Sequence, residues 1–384
     1  MSPPTLLFAG GGTGGHVYPL LAVADALREL APEVRAVFVG TARGLEAKLV
    51  PERGYPLELA HVLPLRGGGV VGAVRGALRA AAAVVEAGAL VRRLRPRAVL
   101  SIGGYAAGPV SLAARVRGIP LALVEPNAVV GLANRLIAPL VSRAYLAFPE
   151  PERHFAAQRV VRAGVPIRAG FEPAPWEPGR RLRLLVLGGS QGAQALNESM
   201  PEAIARATTT PVVVHQAGAG RDAAVAERYR ALGLQDSVRV VAYLEDMPRA
   251  LAEADLVIAR SGAGACAELQ AVGRPSVLVP FPFAAGDHQR LNARSLERLG
   301  ASVCVEARQA TPPRLAALLD ELSADRARLE SMSAAARRGG RPHAARAIAR
   351  DLLGLAGLSG LATAEGAASA PSGAESRGRL AEVR

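Results

Sequence analysis

The chain has 384 residues, 50% of them hydrophobic, and its 46 Lys and Arg against 33 Asp and Glu give a formal net charge of +13. This length suits about two domains, and the lack of an apolar stretch of about 20 residues excludes a membrane span. Two cysteines are too few for a disulfide framework and fit a cytoplasmic protein. The cationic residues are almost all arginine rather than lysine, which indicates a coding bias rather than nucleic-acid binding.

The first half of the chain alternates short apolar runs, typical of buried strands, with segments of helical spacing. Six strands are predicted there, at Thr5–Ala9, Val34–Val39, Leu57–Val62, Ala98–Ile102, Leu121–Glu125 and Arg143–Phe148. Strands of this length that alternate with helices indicate a parallel sheet covered by helices on both faces.

A glycine-rich turn, GGGTGGH from Gly10 to His16, follows the first predicted strand. Such a turn lets backbone N–H groups approach a phosphate, and the helix that it opens adds about half a positive charge. The spacing also fits a dinucleotide-binding fingerprint, but residues 40–43 after the second strand include no carboxylate for a ribose, which disfavours NAD. His16 is either a catalytic acid or base, or a histidine that only bonds a backbone group.

Two more polar turns follow neighbouring strands of the first half. One reads GGYAAGP from Gly103, and the other reads EPN from Glu125. Because ligands of parallel sheets bind at the carboxyl ends of the strands, these turns should meet at one edge. That edge is expected to carry His16, Gly103, Gly104, Tyr105, Glu125 and Asn127.

The proline- and glycine-rich stretch 164–179 predicts a connection between two domains, after which the strand pattern begins again. Six more strands are predicted, at Leu182–Leu187, Pro211–His215, Val238–Val241, Leu256–Ala259, Ser276–Val279 and Ser302–Val305. A second glycine turn, GGSQGA from Gly188 to Ala193, follows the first of these strands and repeats the phosphate-binding arrangement.

Two segments of the second half open helices with polar side chains. The run RSGAGACAEL from Arg260 is another glycine turn, and its Glu268 could accept hydrogen bonds from a ribose or simply complement the helix dipole. The run DHQRLN from Asp287 to Asn292 could bind sugar hydroxyls or simply cap a helix.

The chain also lacks the residues that a metal site would need. It has no Asp-x-Asp pair and no His, Cys and Asp cluster with metal-ligand spacing, so neither a metal nor another cofactor is expected. If the ligand is a nucleotide diphosphate that leaves during a reaction, backbone N–H groups and helix N-termini would have to neutralise its charge.

In this order the motifs resemble those of the MurG family, lipid-linked peptidoglycan N-acetylglucosaminyltransferases of the GT-B fold. The resemblance covers roughly residues 6–355. Its motifs are GGTGGH at 11–16, GGY at 103–105, Glu125 with Asn127, GGSQGA at 188–193 with Asn197, RSGA at 260–263 with Glu268, and DHQ at 287–289 with Asn292. It implies a metal-independent, inverting transfer of N-acetylglucosamine (GlcNAc) from UDP-GlcNAc to the C4 hydroxyl of lipid I, undecaprenyl-diphosphate-linked muramoyl pentapeptide, which forms lipid II.

The expected fold class is α/β, a GT-B architecture of two Rossmann-like parallel-sheet domains that face a cleft. The expected divisions are an acceptor- and membrane-side domain at 1–163, a UDP-GlcNAc-binding domain at 164–340, a C-terminal helix at 341–356 that packs on the first domain, and a disordered tail at 357–384.

The resemblance assigns site residues by matching position. The donor would be held by Thr13, Gly14, Gly15, Asn127, Arg168, Ser190, Leu244, Ala263, Gly264, Ala265, Cys266, Ala267, Glu268 and Gln289, with Glu268 on the ribose. The acceptor diphosphate would lie at Gly14, Gly15, Gly103, Gly104 and Tyr105. Departures from the family pattern are Pro126, Val165 and Ala265, where Gln, Asn and Thr are frequent.

An inverting displacement needs a base for the acceptor hydroxyl, and the sequence offers His16 and Glu125. His16 is favoured, because a carboxylate is a weak base unless burial raises its pKa. The choice between the two stays open at this point.

The resemblance implies a peripheral protein at the cytoplasmic face of the membrane, with partners in the cell-wall and division machinery. Residues 65–93 mix apolar positions with arginines, which suits either a membrane-surface patch or an ordinary amphipathic helix. Alternative functions are a glycolipid glycosyltransferase or a UDP-GlcNAc 2-epimerase of the same fold, and a non-catalytic nucleotide-sugar-binding regulator.

Overall fold

A computed structural model describes residues 3–60, 69–104, 106–189 and 191–362, and the segment 69–80 by its backbone alone. These residues form two α/β units, each built on a parallel sheet. No helix within the described ranges is both long enough and apolar enough to cross a bilayer.

The first sheet has seven parallel strands in the order β3-β2-β1-β4-β5-β6-β7. They are β1 (Thr5–Gly10), β2 (Arg35–Gly40), β3 (Leu57–Leu59), β4 (Ala98–Gly103), β5 (Leu121–Glu125), β6 (Arg143–Leu146) and β7 (Val160–Val161). The six predicted strands are confirmed, although the predicted end of β3 at 61–62 lies outside the described residues. The sequence did not reveal β7, because two residues are too short for a recognisable apolar run.

Helices cover both faces of this sheet. They are α1 (Gly14–Leu30), α2 (Glu46–Glu52), α3 (Gly69–Leu94), α4 (Ala107–Val116) and α5 (Leu132–Ile137). The helices α1 and α2 contribute to the core on one face, while α3, α4 and α5 contribute to the core on the other. Both faces of β1 are therefore buried, as its unbroken apolar sequence requires.

The second sheet has six parallel strands in the order β10-β9-β8-β11-β12-β13. They are β8 (Arg183–Leu187), β9 (Val212–Gln216), β10 (Val238–Val241), β11 (Leu256–Ala259), β12 (Ser276–Leu278) and β13 (Ser302–Cys304), which confirms the six predicted strands. The remaining helices are α6 (Gln194–Arg206), α7 (Asp222–Ala231), α8 (Met247–Glu253), α9 (Ala263–Val272), α10 (His288–Arg298), α11 (Pro312–Ala324), α12 (Arg326–Gly339) and α13 (Ala344–Leu355).

The last helix, α13, belongs to the first domain by its contacts. It packs against α1, and its Ile348, Ala349 and Leu352 are at most 1% exposed within the first core. Asp351 accepts a hydrogen bond from the Tyr145 hydroxyl at 2.7 Å and so ties α13 to β6. Residues 357–362 continue along the same core, and the rest of the predicted tail lies outside the described residues.

The strand order reverses at one point in each sheet, between β1 and β4 in the first and between β8 and β11 in the second. At such a point the chain leaves neighbouring strands toward opposite faces, which opens a crevice at their carboxyl ends. The glycine turns that begin at Gly10, Gly103, Gly188 and Arg260 follow these four strands. All four turns therefore lie at the two ligand-binding crevices of the fold.

Candidate active site

The two domains are joined by hydrogen bonds between their rims. Asn292 of α10 accepts the N–H of Ala128 through Oδ1 at 2.8 Å. Its Nδ2 donates to Asn127 Oδ1 at 3.2 Å and to the Ser261 carbonyl at 3.1 Å. Asn292 therefore links the loop after β5 to the glycine turn after β11, with its own side chain fully buried. The predicted acceptor and donor sites face each other across this contact.

His16 lies in the first turn of α1, directly after the first glycine turn. Its Nδ1 is 3.1 Å from the carbonyl oxygen of Gly11. A carbonyl can only accept a hydrogen bond, so Nδ1 carries the proton and Nε2 keeps a free lone pair. The N–H groups of Gly14 and Gly15 find no acceptor in the described part of the chain, as is usual at a helix start. The turn therefore offers anion-binding donors beside an unprotonated ring nitrogen.

The surroundings of His16 favour its neutral form. Burial is the main cause that lowers its pKa from the usual value, and the nearby His288 of the second domain acts in the same direction. The hydrogen bond to Gly11 and the negative charge of Glu46 oppose this effect. A histidine with a lowered pKa is unprotonated at neutral pH, which a general base must be.

Glu125, the other candidate for the base, is 2% exposed and has both carboxylate oxygens occupied. Oε1 accepts the backbone N–H of Asn127 at 3.1 Å, with the Asn127 side-chain amide at 3.5 Å. Oε2 accepts the N–H of Gly131 at 3.0 Å and the side-chain amide of Asn134 at 2.9 Å. Burial raises the pKa of Glu125, and these donors oppose the rise. The carboxylate thus holds the loop that follows β5 in shape.

The turn at Gly103 and Gly104 packs directly on the first glycine turn. Both residues have positive φ, +95° and +89°, which L side chains rarely adopt. A Cβ on Gly104 would lie 3.0 Å from the Gly11 carbonyl oxygen, and a Cβ on Gly103 would lie 2.7 Å from Asn134 Oδ1. Glycine at 104 therefore lets the two turns meet, and glycine at 103 leaves room for the Asn134 side chain. The third predicted residue of this turn, Tyr105, lies outside the described residues.

On the donor side, α9 begins at Ala263 with the N–H groups of residues 263–265 finding no acceptor among the described residues. The N–H of Cys266 already bonds the carbonyl of Gly262 at 3.0 Å, and the Cys266 side chain is fully buried. Of the predicted run 263–268, the first three residues thus offer free donors. Ala267 follows on the same helix and is half-buried.

Glu268 lies in the second turn of α9. Burial raises its pKa to about 7, and the positive charge of Arg168 from the interdomain connection acts against the rise. The Arg168 guanidinium lies 5.4 Å from the centre of the Phe171 ring. Glu268 is thus a carboxyl group that changes charge near neutral pH beside a fixed cation.

The loop that opens α10 lies close to this glycine turn. The Ser261 hydroxyl donates to the carbonyl of Gln289 at 2.8 Å, and the Gln289 side-chain oxygen accepts the N–H of Phe281 at 2.9 Å. Gln289 is therefore fixed in orientation with its NH₂ group still able to donate. Leu244 is half-buried and packs against the core that α8, α9 and α10 form with the second sheet. Ser190 lies outside the described residues.

Below the second glycine turn, a buried network holds α6 against the sheet. His215 Nε2 is 3.1 Å from Asn197 Oδ1, and its Nδ1 is 3.0 Å from the Tyr229 hydroxyl. The Asn197 amide also donates to the carbonyl of Ala217 at 2.9 Å. Burial lowers the pKa of His215 to about 4. This neutral histidine therefore has a supporting position beneath the turn.

Glu46 is a site residue that the sequence did not reveal. It begins α2 and is 1% exposed, with its carboxylate bonded to the N–H of Gly12 at 2.7 Å. An acidic residue in the first turn of a helix is common because it complements the helix dipole. No pattern in the sequence therefore distinguished it.

In the described part of the chain, no three His, Cys, Asp or Glu side chains are placed to hold a metal ion.

Two family models match most of the chain. Residues 6–146 match the glycosyltransferase family 28 N-terminal domain, and residues 183–349 match the glycosyltransferase family 28 C-terminal domain. The first match spans β1 to β6 and the second spans β8 to β13, so each covers most of one sheet.

Relatives resemble the chain over nearly its whole length. It is 54% identical over 358 residues, 92% of this chain and 88% of the relative, to the UDP-N-acetylglucosamine--N-acetylmuramyl-(pentapeptide) pyrophosphoryl-undecaprenol N-acetylglucosamine transferase of Sorangium cellulosum. It is 45% identical to the Anaeromyxobacter dehalogenans protein of the same name, over 90% of this chain and 91% of that one. The crystal structure of MurG from Acinetobacter baumannii superposes with a TM-score of 0.80 at 32% identity, covering 92% of this chain and 99% of that one.

Proposed function

The chain belongs to glycosyltransferase family 28, and we infer that it transfers GlcNAc from UDP-GlcNAc to the C4 hydroxyl of lipid I, forming lipid II. It is an N-acetylglucosaminyltransferase of the GT-B fold that acts in peptidoglycan synthesis. The observation that carries this inference is 54% identity, over 92% of the chain, to a relative named for this activity.

We propose that UDP-GlcNAc binds mainly in the second domain. The free N–H groups at the start of α9 face its diphosphate, where the helix dipole favours negative charge. Glu268 accepts hydrogen bonds from the ribose hydroxyls, and Gln289 donates its free NH₂ group to the sugar. Arg168, Ser190 and Leu244 complete this side, and Thr13 and Asn127 approach from the first domain.

The acceptor diphosphate lies between the two glycine turns of the first domain. The free N–H groups of Gly14 and Gly15 and the tight packing of Gly104 on Gly11 support this position. Main-chain donors at a helix start bind phosphate without a metal ion. Tyr105, next to this turn in sequence, is the remaining proposed contact.

His16 is the general base. Its Nε2 takes the proton of the acceptor C4 hydroxyl as that oxygen forms a bond to the anomeric carbon of GlcNAc. The bond from the anomeric carbon to the diphosphate oxygen breaks on the opposite face, and UDP leaves with the electron pair. The free lone pair on Nε2 supports this role, while the four donors around Glu125 support a positioning role for that residue.

The first domain binds the cytoplasmic face of the membrane peripherally. Large apolar side chains stand exposed on neighbouring helices, with Val116 of α4 75% exposed and Leu132 and Leu136 of α5 76% and 71% exposed. Arg115, Arg117 and Arg135 are exposed on the same helices. Apolar side chains among arginines suit the interface of an anionic leaflet. The predicted segment 65–93 adds the exposed Val85 of α3, and its residues 65–68 lie outside the described ranges.

Transfer of radiolabelled GlcNAc to a lipid I analogue tests the proposed activity. We expect lipid-linked label with both substrates present and none without the acceptor. Conversion of UDP-GlcNAc without acceptor would instead identify an epimerase, and transfer to another glycolipid alone would identify a different glycosyltransferase. Binding of UDP-GlcNAc without turnover would identify a regulator.

Co-purification from membranes would test the expected partners in the cell-wall and division machinery.

A further inference from the structure

Glu46 is enclosed by three glycines from separate segments. An added Cβ at Gly11 in the first turn, at Gly40 at the end of β2 or at Gly44 before α2 would overlap the Glu46 side chain. The backbone therefore leaves room at three places for this one carboxylate. A group that only complemented a helix dipole would need no such enclosure, because that interaction already stabilises a helix from an exposed position.

Within the described ranges, all hydrogen-bond partners of the carboxylate are donors. Oε2 accepts the N–H of Gly12 at 2.7 Å, and Oε1 accepts the N–H of Thr41 at 2.8 Å and its hydroxyl at 3.0 Å. An ionised carboxylate accepts hydrogen bonds and cannot donate them, so this set of partners fits the charged form. Glu46 thus brings a fixed negative charge to the inner side of the glycine turn.

The bond from Glu46 to Gly12 reaches His16 through a single peptide group. The N–H of Gly12 and the carbonyl of Gly11 belong to the same planar peptide unit. Glu46 holds its N–H end, and His16 Nδ1 bonds its carbonyl end at 3.1 Å. Because the unit is rigid, fixing one end sets the direction of the other. The Glu46 carboxylate therefore contacts one end of the peptide group, and the His16 imidazole contacts the other end.

We propose that Glu46 is a positioning residue for His16, acting through the Gly11–Gly12 peptide group to fix the tautomer that leaves Nε2 unprotonated. This inference rests on the proposed role of His16 as the base. Titratable groups from two directions bear on His16, since Glu46 raises its pKa from within the first domain and His288 lowers it from the second.

Glu46→Gln tests the proposal, with Glu52→Gln on the same helix as the matched control. The glutamine keeps the shape but loses the charge and one acceptor oxygen. Hydrogen-bond partners that orient metal-ligating histidines are worth about 10- to 100-fold. By analogy we expect kcat to fall by that factor while KM for UDP-GlcNAc stays within about twofold. The acid limb of the pH profile should move to lower pH, because a charge that raises the His16 pKa is gone. Glu52→Gln should match the wild type.

The ¹⁵N resonances of the His16 ring measure the tautomer directly, with His16→Gln used for assignment. We expect the Nδ1–H form in the wild type and a mixture with the Nε2–H form in Glu46→Gln. An Nε2–H tautomer in the wild type, or unchanged kcat and tautomer in Glu46→Gln, overturns the proposal. If Glu46→Gln does not fold, Glu46→Asp keeps the charge at shorter reach and should show a smaller shift, whereas no shift overturns the proposal.

This design separates the inference from the function on which it rests. If His16→Ala retains full turnover, His16 is not the base, and the tautomer measurement still decides whether Glu46 controls the ring. If His16 is essential but its tautomer does not respond to Glu46, only the positioning role is overturned.

Discussion

His16 in the first domain and His215 in the second both have pKa values lowered mainly by burial, but their neighbours differ. Among the described residues, His16 bonds a backbone carbonyl through Nδ1 and no partner through Nε2. His215 has both ring nitrogens engaged, by Asn197 and Tyr229. The first arrangement suits proton transfer, and the second suits structural support. Hydrogen-bond partners, rather than pKa alone, thus distinguish the two histidines.

Replacing His16 with alanine should remove the base. Positioned proton transfer contributes about 10²- to 10⁴-fold, so we expect kcat to fall by that factor. UDP affinity, measured by calorimetry, should change little, because the N–H groups of the turn remain. A variant that kept near-full turnover would contradict the assignment.

Glu268 should make donor binding depend on pH. With its pKa raised to about 7, the group is mostly protonated at pH 6 and mostly ionised at pH 8. The ionised form is the better acceptor for ribose hydroxyls, so the Kd for UDP-GlcNAc should fall roughly tenfold over this range. Calorimetric titration at several pH values measures this effect. The slope should vanish in Glu268→Gln, and an equal slope in that variant would refute the ribose contact.

His215 should make the second domain sensitive to acid. Its folded pKa, about 4, lies below the unfolded value of about 6.5, so the unfolded chain takes up the proton first as pH falls. Stability is therefore lost between about pH 6.5 and about pH 4, by on the order of 3 kcal/mol. Urea unfolding can be followed by Trp176, the single tryptophan, which packs on this core. His215→Gln should lose less stability over this range, and an unchanged loss would contradict the assignment.

Residues that directly follow strands were predictable from the sequence. His16, Glu125 and Asn127 come after apolar runs, and parallel topology brings the ends of such runs together. Glu46 could not be predicted, because its importance depends on three glycines that only the folded chain assembles around it. The proposed division of roles between His16 and Glu125 also depends on hydrogen-bond partners, which the sequence does not show.

At the scale of whole elements, strands were the most predictable features. Their apolar runs are bounded by glycine, proline or charge, and twelve of the strands match predicted runs. The strand β7 was missed, because two residues on a sheet edge carry little pattern. The break between α11 and α12 at Asp325 was also not predicted, and there the aspartate side chain caps α12 by accepting the N–H of Arg328 at 2.9 Å.

The contacts of α13 predict where a mutation at the chain end will act. Leu352 is fully buried in the first core, so Leu352→Ala should destabilise the first domain by about 2–5 kcal/mol. The matched variant Leu319→Ala, on α11, should instead destabilise the second domain. Hydrogen exchange followed by mass spectrometry should show lost protection in β1 for the first variant and in β8 for the second. The reverse pattern would contradict this assignment.

At the scale of the molecule, charge and exposed apolar side chains act together at the membrane. The net charge of +13 favours anionic lipid, and the exposed helices α4 and α5 supply apolar contacts. We expect sedimentation with anionic vesicles that weakens at high salt. Leu132→Ser/Leu136→Ser should reduce binding several-fold, whereas Leu232→Ser/Leu299→Ser, exposed positions of the second domain, should not. Equal loss in both variants would argue against a defined surface.

The position of α13 also sets the order in which a growing chain can complete its two cores. A ribosome releases β1 early, yet the last of the helices that cover one side of its sheet, α13, begins only at Ala344. The last strand of the second domain ends at Cys304 and its last helix ends at Gly339. All elements of its core are therefore synthesised before α13 completes the first core. Translation usually lets the leading domain fold first. In this chain the leading domain finishes last, because the core that α1 and α2 begin is completed only when α13 has been synthesised.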